Sequence, residues 1–374
     1  MRIRLYFFFI CTIIIIALTA CRDDDDSTDN TNTNGGGNGN SSPTPYVLET
    51  PPHFGYLISP VFPEDNPLTV EGIALGKKLF FEKKLSKDNS ISCASCHKPD
   101  KAFNDEGNPF SFGVNGTTSI RNAMPLFNLA WVSVTSQRFN WHGNVSTLEE
   151  QAFGPVTDPR EMQETWVNVV SKLQNDPNYP PLFKAAFETE LIDSNLVVKA
   201  IAQFERTLIS GNSRVDKHVI KNIAGVNIPG DNFLTAQELR GFDLFMQEEK
   251  GDCFHCHGDF YNPLWTDNEF RNNGLDLVPD SGLASVTKRA SDYGKFKTPS
   301  LRNIAFSAPY MHDGRFNTIR EVVDFYADDV QTTSPNLDAT MKFRNLNNQE
   351  REDLVAFLMA LTDSSFVNNT AFRP

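Results

Sequence analysis

Cys93-Ala94-Ser95-Cys96-His97 and, 160 positions further on, Cys253-Phe254-His255-Cys256-His257 decide the fold of this chain. Both match C-x-x-C-H, the pattern of covalent c-type haem attachment. The chemistry explains the spacing. Two thiols bond the two vinyl groups of one porphyrin, and the adjacent His ligates the iron from the face that this fixes. A redox dithiol needs no following His, and a zinc site needs further Cys or His nearby. Cys93, Cys96 and His97 therefore read as one haem site and Cys253, Cys256 and His257 as a second, with His97 and His257 as iron ligands. His255, between two thiols, reads as a solvent-facing spacer. His53 and His218 stand in polar contexts and are assigned no role.

The flanks of the two motifs repeat. Gly76-Lys77-Lys78-Leu79-Phe80 precedes the first and Gly241-Phe242-Asp243-Leu244-Phe245 the second. After each comes an Arg-Asn pair, Arg121-Asn122 and Arg302-Asn303, and then G-x-x-x-T-[LI]-x-E, Gly143 to Glu150 and Gly314 to Glu321. Thr147 with Glu150 and Thr318 with Glu321 have capping-box spacing, which predicts a helix start at each. Apolar-periodic stretches, Leu196 to Leu208 and Leu354 to Leu361, predict helices that close the two units. Strand patterns are sparse. The expectation is a mostly α fold of two tandem cytochrome c-like domains, residues 46–220 and 221–374, each with one covalent c-type haem. The 374 residues suit two domains at roughly 150 residues each.

The copies differ at one telling place. Twelve residues past the shared glycine stands Tyr326 in the second half and Pro155 in the first. Tyr can ligate iron; Pro has no donor atom. If the copies superpose, the second iron has a sixth ligand and the first keeps the open face that peroxide binding needs. The alternative is that Tyr326 is a packed aromatic of an amphipathic helix.

Residues 1–20 read as an export signal, with Arg2 and Arg4 ahead of an uncharged run from Leu5 to Leu18. That run is about 14 residues, short of the ~20 that span a bilayer. Leu18-Thr19-Ala20-Cys21 is similar to a bacterial lipobox, in which Cys21 is lipidated and anchors the protein to a membrane. An ordinary secretory signal or a signal-anchor is the alternative. Residues 21–45, an Asp run followed by Asn, Gly, Ser and Thr, read as a flexible tether, which puts the globular body in the periplasm or cell envelope. With Cys11 in the leader, Cys21 in the lipobox and four in haem motifs, none of the six cysteines is left for a disulfide. The net charge of −13 argues against non-specific nucleic-acid binding and favours basic or neutral partners.

Over roughly residues 65–365 the chain resembles the bacterial di-haem cytochrome c peroxidase family, which includes the MauG-like enzymes. The matching stretches are Ile91-Ser92-Cys93-Ala94-Ser95-Cys96-His97, Arg121-Asn122-Ala123, Thr147-Leu148-Glu149-Glu150-Gln151-Ala152 with Gly154-Pro155, and Leu301-Arg302-Asn303 through Ala308-Pro309-Tyr310-Met311-His312-Asp313-Gly314. The resemblance implies that the N-terminal haem reacts with hydrogen peroxide and the C-terminal haem receives electrons from cytochrome c or another small redox protein. It places the distal glutamine and glutamate on Gln151 and Glu161 and the tryptophan between the haems on Trp141. It places a bridging Ca2+ on the Asn122 side chain and the Ser307 and Pro309 carbonyls, and it implies a homodimer. A carboxylate suits the distal role, because cleaving H2O2 needs a proton moved from its inner to its outer oxygen. Against the family pattern, no His lies between His97 and His142; the stretch where many relatives carry a distal His ligand reads Phe112-Gly113-Val114-Asn115-Gly116. The usual Trp-Asp-Gly-Arg reads Trp141-His142-Gly143-Asn144. The position of the second iron's ligand, Met in many relatives and Tyr in MauG-like ones, falls on Tyr326, with Met311 as an alternative thioether. The leading expectation is a peroxidase reducing H2O2 to water. The others are MauG-like, peroxide-driven oxidation of a protein or organic substrate, and a di-haem electron carrier, which the Pro155/Tyr326 asymmetry disfavours.

Overall fold

Gly76 and Gly241 show how the repeat folds. In the computed structural model, which describes residues 42–374 apart from 106, 224 and 231, Gly76 lies on helix α1 (Val70–Phe80) and Gly241 on a later helix, Ala236–Met246. A Cβ on Gly76 would lie 1.8 Å from the Ala200 carbonyl oxygen, and one on Gly241 would lie 1.9 Å from that of Asp353. Only glycine admits so close a crossing. Each crossing is locked by an aromatic pair one turn along, Phe80 on Phe204 at 5.4 Å and Phe245 on Phe357 at 5.3 Å between centroids. All four rings are buried, and each such burial contributes about 1.5–3 kcal/mol.

The other principal helices are α2 (Cys93–Cys96), α3 (Leu148–Thr157), α4 (Trp166–Gln174), α5 (Pro180–Phe187) and α6 (Ser194–Arg206). Then come α7 (Arg214–Asn222), α8 (Ala236–Met246), α9 (Phe254–His257), α10 (Ile319–Asp324), α11 (Asn348–Ala360) and α12 (Ser364–Val367). The expected caps are present: the hydroxyls of Thr147 and Thr318 accept from the N–H of Glu150 and Glu321. Thr318 and Glu321 close a full capping box, whereas Glu150 turns its carboxylate to the N–H of Ser146. A two-stranded antiparallel ribbon, β1 (Phe270–Arg271) with β2 (Phe296–Lys297), is the one sheet among the described residues.

Two apolar cores result. The first gathers Leu79, Phe80, Phe103, Val169, Phe183 and Phe204, and it also takes Phe366 and Val367 from the far end of the chain. The second gathers Val215, Phe245, Trp265, Phe357 and Leu361. The leader, Cys21 and the tether as far as residue 41 lie outside the described residues. The last tether residues are tied down: Thr44 bonds Glu71 through its N–H (2.7 Å) and hydroxyl (2.9 Å), and Pro45 bridges to Thr69. Among the described residues no helix is long and apolar enough to cross a membrane.

His53 corrects the sequence reading. It is not an idle polar-context residue; it is 1% exposed, with Nε2 2.9 Å from Asp216 Oδ1. The same carboxylate receives both Arg302 nitrogens, at 2.8 and 2.6 Å. His218 stays unremarkable, half-buried beside Phe260. His255, partly exposed, is paired with Asp252.

Candidate active site

The first motif sits on α2, where the N–H of Ser92 donates to the Ser95 hydroxyl at 3.0 Å. His97 follows, with Nδ1 3.0 Å from the carbonyl oxygen of Phe103. A carbonyl only accepts, so Nδ1 carries the proton and the Nε2 lone pair is left for a metal. Phe103 presents that oxygen from a left-handed conformation, φ 58°, with its ring fully buried. Burial lowers the pKa of His97, keeping the imidazole in its neutral, ligating form. None of the four motif cysteines is in a disulfide. Burial pushes Cys96 up to about 11, so its thiol is neutral and suited to adding across a vinyl group.

A cavity of about 700 Å³ opens beside this motif, lined by Cys96, His97, Trp141, Gln151, Pro155 and Glu161 among others. Its size lies within the range of cofactor sites, ~300–1,000 Å³. Gln151 and Pro155 are one turn apart on α3. Glu161 is held by its backbone: its N–H donates to Asp158 O (3.0 Å) and its carbonyl accepts from Val114 N (2.8 Å). Gly113 makes that approach feasible, since a Cβ there would lie 2.1 Å from Arg160 O. Val114 thus secures Glu161 through its backbone N–H. Burial, and then the charge of Asp158, push Glu161 up to about 7. Arg160 opposes this, but its guanidinium is engaged by Asp158 at 3.0 and 2.6 Å.

The second motif is built alike. His257, on α9, sets Nδ1 3.3 Å from the carbonyl oxygen of Trp265, again left-handed (φ 53°) with a buried ring. Burial brings His257 down to about 4. Cys253, Cys256, His257, Met311 and Tyr326 line one cavity. Tyr326 stands on a π-helical turn, Phe325–Asp329, that continues α10; such turns recur at functional sites. Asn273 Nδ2 donates to the Tyr326 hydroxyl at 3.0 Å and lies 3.7 Å from the Met311 sulfur. Cys96 and the neutral His97 on the wall of the first cavity, and Cys253, Cys256 and the neutral His257 on that of the second, fit a covalent haem.

Trp141, Asn122 and Lys297 line both cavities. Trp141 Nε1 donates to Asn122 O (2.8 Å), and the Lys297 N–H donates to Trp141 O (2.9 Å). Trp141 and His312 each stand two residues before a repeated glycine, Gly143 (φ 70°) and Gly314 (φ 66°). The two rings meet edge-on at 6.4 Å. Asn122, Ser307 and Pro309 share the second cavity. The Asn122 amide nitrogen is turned to the carbonyls of Asn108 and Pro109, which leaves its oxygen for a cation. His142 is half-buried on the wall of the first cavity. Sequence reasoning missed the carbonyls of Phe103 and Trp265 and the amide of Asn273. Main-chain acceptors carry no side-chain signal, and Asn273 belongs to no repeated block.

A model of the di-haem cytochrome c peroxidase family matches residues 70–223. The methylamine utilization protein MauG of Methylorubrum extorquens is 38% identical over 303 residues, 80% of this chain and 80% of its own. The cytochrome c551 peroxidase of Nitrosomonas europaea is 31% identical over 311 residues, 79% of this chain and 81% of its own. A solved MauG-like protein associated with microbial copper homeostasis matches with a TM-score of 0.76 at 33% identity, covering 87% of this chain and 98% of that one. The chain therefore belongs to the di-haem cytochrome c peroxidase family, oxidoreductases that carry two c-type haems.

Proposed function

We propose that this protein reduces hydrogen peroxide to water at its N-terminal haem, drawing electrons from a small redox protein such as cytochrome c through its C-terminal haem. The observation that carries this reading is Glu161: a half-buried carboxyl, poised near neutrality, in one cavity with His97 and Gln151 and beside the donorless Pro155. Cys93 and Cys96 hold one haem and Cys253 and Cys256 the other, with His97 and His257 as proximal ligands. The bound haem supplies the iron that takes up peroxide. Glu161 in its ionised form accepts the proton from the nearer peroxide oxygen and returns it to the farther one, which leaves as water. The Gln151 amide orients the peroxide by hydrogen bonding. Trp141, on the wall of both cavities, relays electrons between them. The Asn122 side-chain oxygen with the Ser307 and Pro309 carbonyls offers hard donors to Ca2+. An exported protein anchored through a lipid on Cys21 would meet its donor outside the cytoplasm.

Tyr326 favours a second reading, peroxide-driven oxidation of a protein or organic substrate. An anionic phenolate steadied by Asn273 would support higher iron oxidation states than a thioether. Steady-state turnover of H2O2 with reduced cytochrome c separates the two. Peroxidase turnover is expected, and its absence while peroxide still reacts would turn the assignment to the second reading. Ferric EPR should show one high-spin and one low-spin haem; two low-spin signals would overturn the open first site. Tyr326→Phe should change the low-spin signal, and an unaltered spectrum would remove Tyr326 as ligand.

A further inference from the structure

Glu205 is a buried carboxyl that the proposed chemistry leaves idle. It lies on α6 and is 4% exposed. Its neighbour Arg206 is spent elsewhere, bonding both oxygens of Glu149 at 2.7 and 2.9 Å. Glu205 Oε2 is buried with no hydrogen-bond partner among the described residues. The side chain lines a pocket shared with Cys93, His97, Gln151, Pro155 and Glu161. A partnerless buried carboxyl is costly, and the rest of that helix face is apolar, with Val197, Val198, Ile201 and Phe204 buried. The charged and titratable groups around it are Arg206 on its own helix, Glu149 on α3, Cys93 and Cys96 on α2, His97 just after it, and Glu161 across the pocket. Burial, with Glu149 adding to it and Arg206 opposing, pushes Glu205 up to about 8. At neutral pH it carries its proton.

The reaction needs such a group. Reducing H2O2 to two waters consumes two electrons and two protons, and Glu161 supplies no net proton because it returns the one it takes. We propose that Glu205, in a smaller pocket that shares His97, Gln151, Pro155 and Glu161 with the N-terminal cavity, is a second proton-carrying carboxyl, giving a proton to the oxygen being reduced as an electron arrives and regaining one from solvent. In each half of the cycle the acid becomes a carboxylate, the oxygen gains the proton, and the donor protein supplies the electron. This role rests on the peroxide-reducing reading above.

The test compares the holoenzyme with Glu205→Gln, which keeps the shape and removes the proton, and Glu205→Asp, which keeps the acid. Reduced-minus-oxidised infrared spectra of the wild type should show a carboxylic C=O band that disappears in Glu205→Gln and survives, shifted, in Glu205→Asp. The midpoint potential of the N-terminal haem should fall with rising pH in the wild type and fall less steeply in Glu205→Gln, where Glu161 alone still titrates. In stopped flow, Glu205→Gln should react with peroxide at the wild-type bimolecular rate, then return to rest roughly 10²-fold more slowly at the proton-limited step. An unchanged potential slope and infrared band in Glu205→Gln would overturn the proposal. If that variant fails to load haem, absence of the band from the wild type overturns it equally. Failure of the peroxide-reducing reading itself looks different: the wild type would show no steady-state turnover of H2O2 with reduced cytochrome c, whatever the infrared and potential data showed.

Discussion

In the N-terminal cavity the twelfth residue past the repeated glycine is Pro155, inside α3; in the C-terminal cavity it is Tyr326, on a π-helical turn that extends α10. Around that difference the two cavities share a frame. A glycine lets two helices cross in near contact, an aromatic pair locks the crossing, and a main-chain carbonyl fixes the proximal imidazole. The first cavity adds Gln151, whose amide can hydrogen-bond, and Glu161, whose carboxyl can carry a proton. The second adds Asn273, which holds a phenol and a thioether. The frame sets where a haem can sit, and a handful of residues on its open face set whether that haem reacts or relays.

This contrast can be broken experimentally, most forcefully at Glu161. Glu161→Gln should slow the reaction with peroxide by roughly 10²–10⁴, a barrier increase of about 3–5 kcal/mol, while Tyr326→Phe leaves that bimolecular step near the wild-type rate. Because the base form is the active one, the wild-type rate should fall as pH drops through about 7. Equal slowing in both variants would end the division of labour between the cavities. The repeated arginines come next. Arg302→Ala strands the buried Asp216 carboxylate and should cost about 3–5 kcal/mol in urea unfolding. Its counterpart Arg121, paired with the more exposed Asp280, should cost at most about 1 kcal/mol. Arg302 and His53 hold the Asp216 pKa below the usual carboxylate range against the effect of burial. The stabilisation is therefore full above the unfolded value of about 3.9 and is lost as pH falls through the depressed folded value; Arg302→Ala should weaken that acid dependence, leaving the part that His53 supplies.

Smaller effects test the shared frame. Gly76→Ala and Gly241→Ala should each lower stability by about 1–3 kcal/mol through overpacking. Thermal unfolding that found one harmless and the other severe would show that the two crossings are not equivalent. The smallest changes belong to the caps: Thr147→Ala and Thr318→Ala should each cost about 0.5–2 kcal/mol, read from the same melting curves.

Much of this was legible in the sequence because it is local. The C-x-x-C-H spacing and the T-x-x-E caps act within one or two helical turns, and the G-x-x-L-F blocks show because they repeat, although their partners near Ala200 and Asp353 are far along the chain. The rest depends on partners far apart in the chain or on main-chain atoms. His53 reads as idle because its partner Asp216 is 163 residues away. The tautomer of His97 depends on a carbonyl presented by Phe103, which the Phe103 side chain does not announce. Glu205 hides in a helix whose apolar periodicity is otherwise good. The Pro155/Tyr326 contrast was visible only because each copy could be read against the other, and the structure sets both residues on cavity walls.

The end of the chain has a consequence for assembly. Phe366 and Phe372 pack on the ring of Phe103 at 5.8 and 6.1 Å, and the Phe103 carbonyl holds His97. Two aromatic rings more than 260 positions downstream thus brace the carbonyl that orients His97. A chain cut short after Leu361 would keep both attachment motifs and lose that brace.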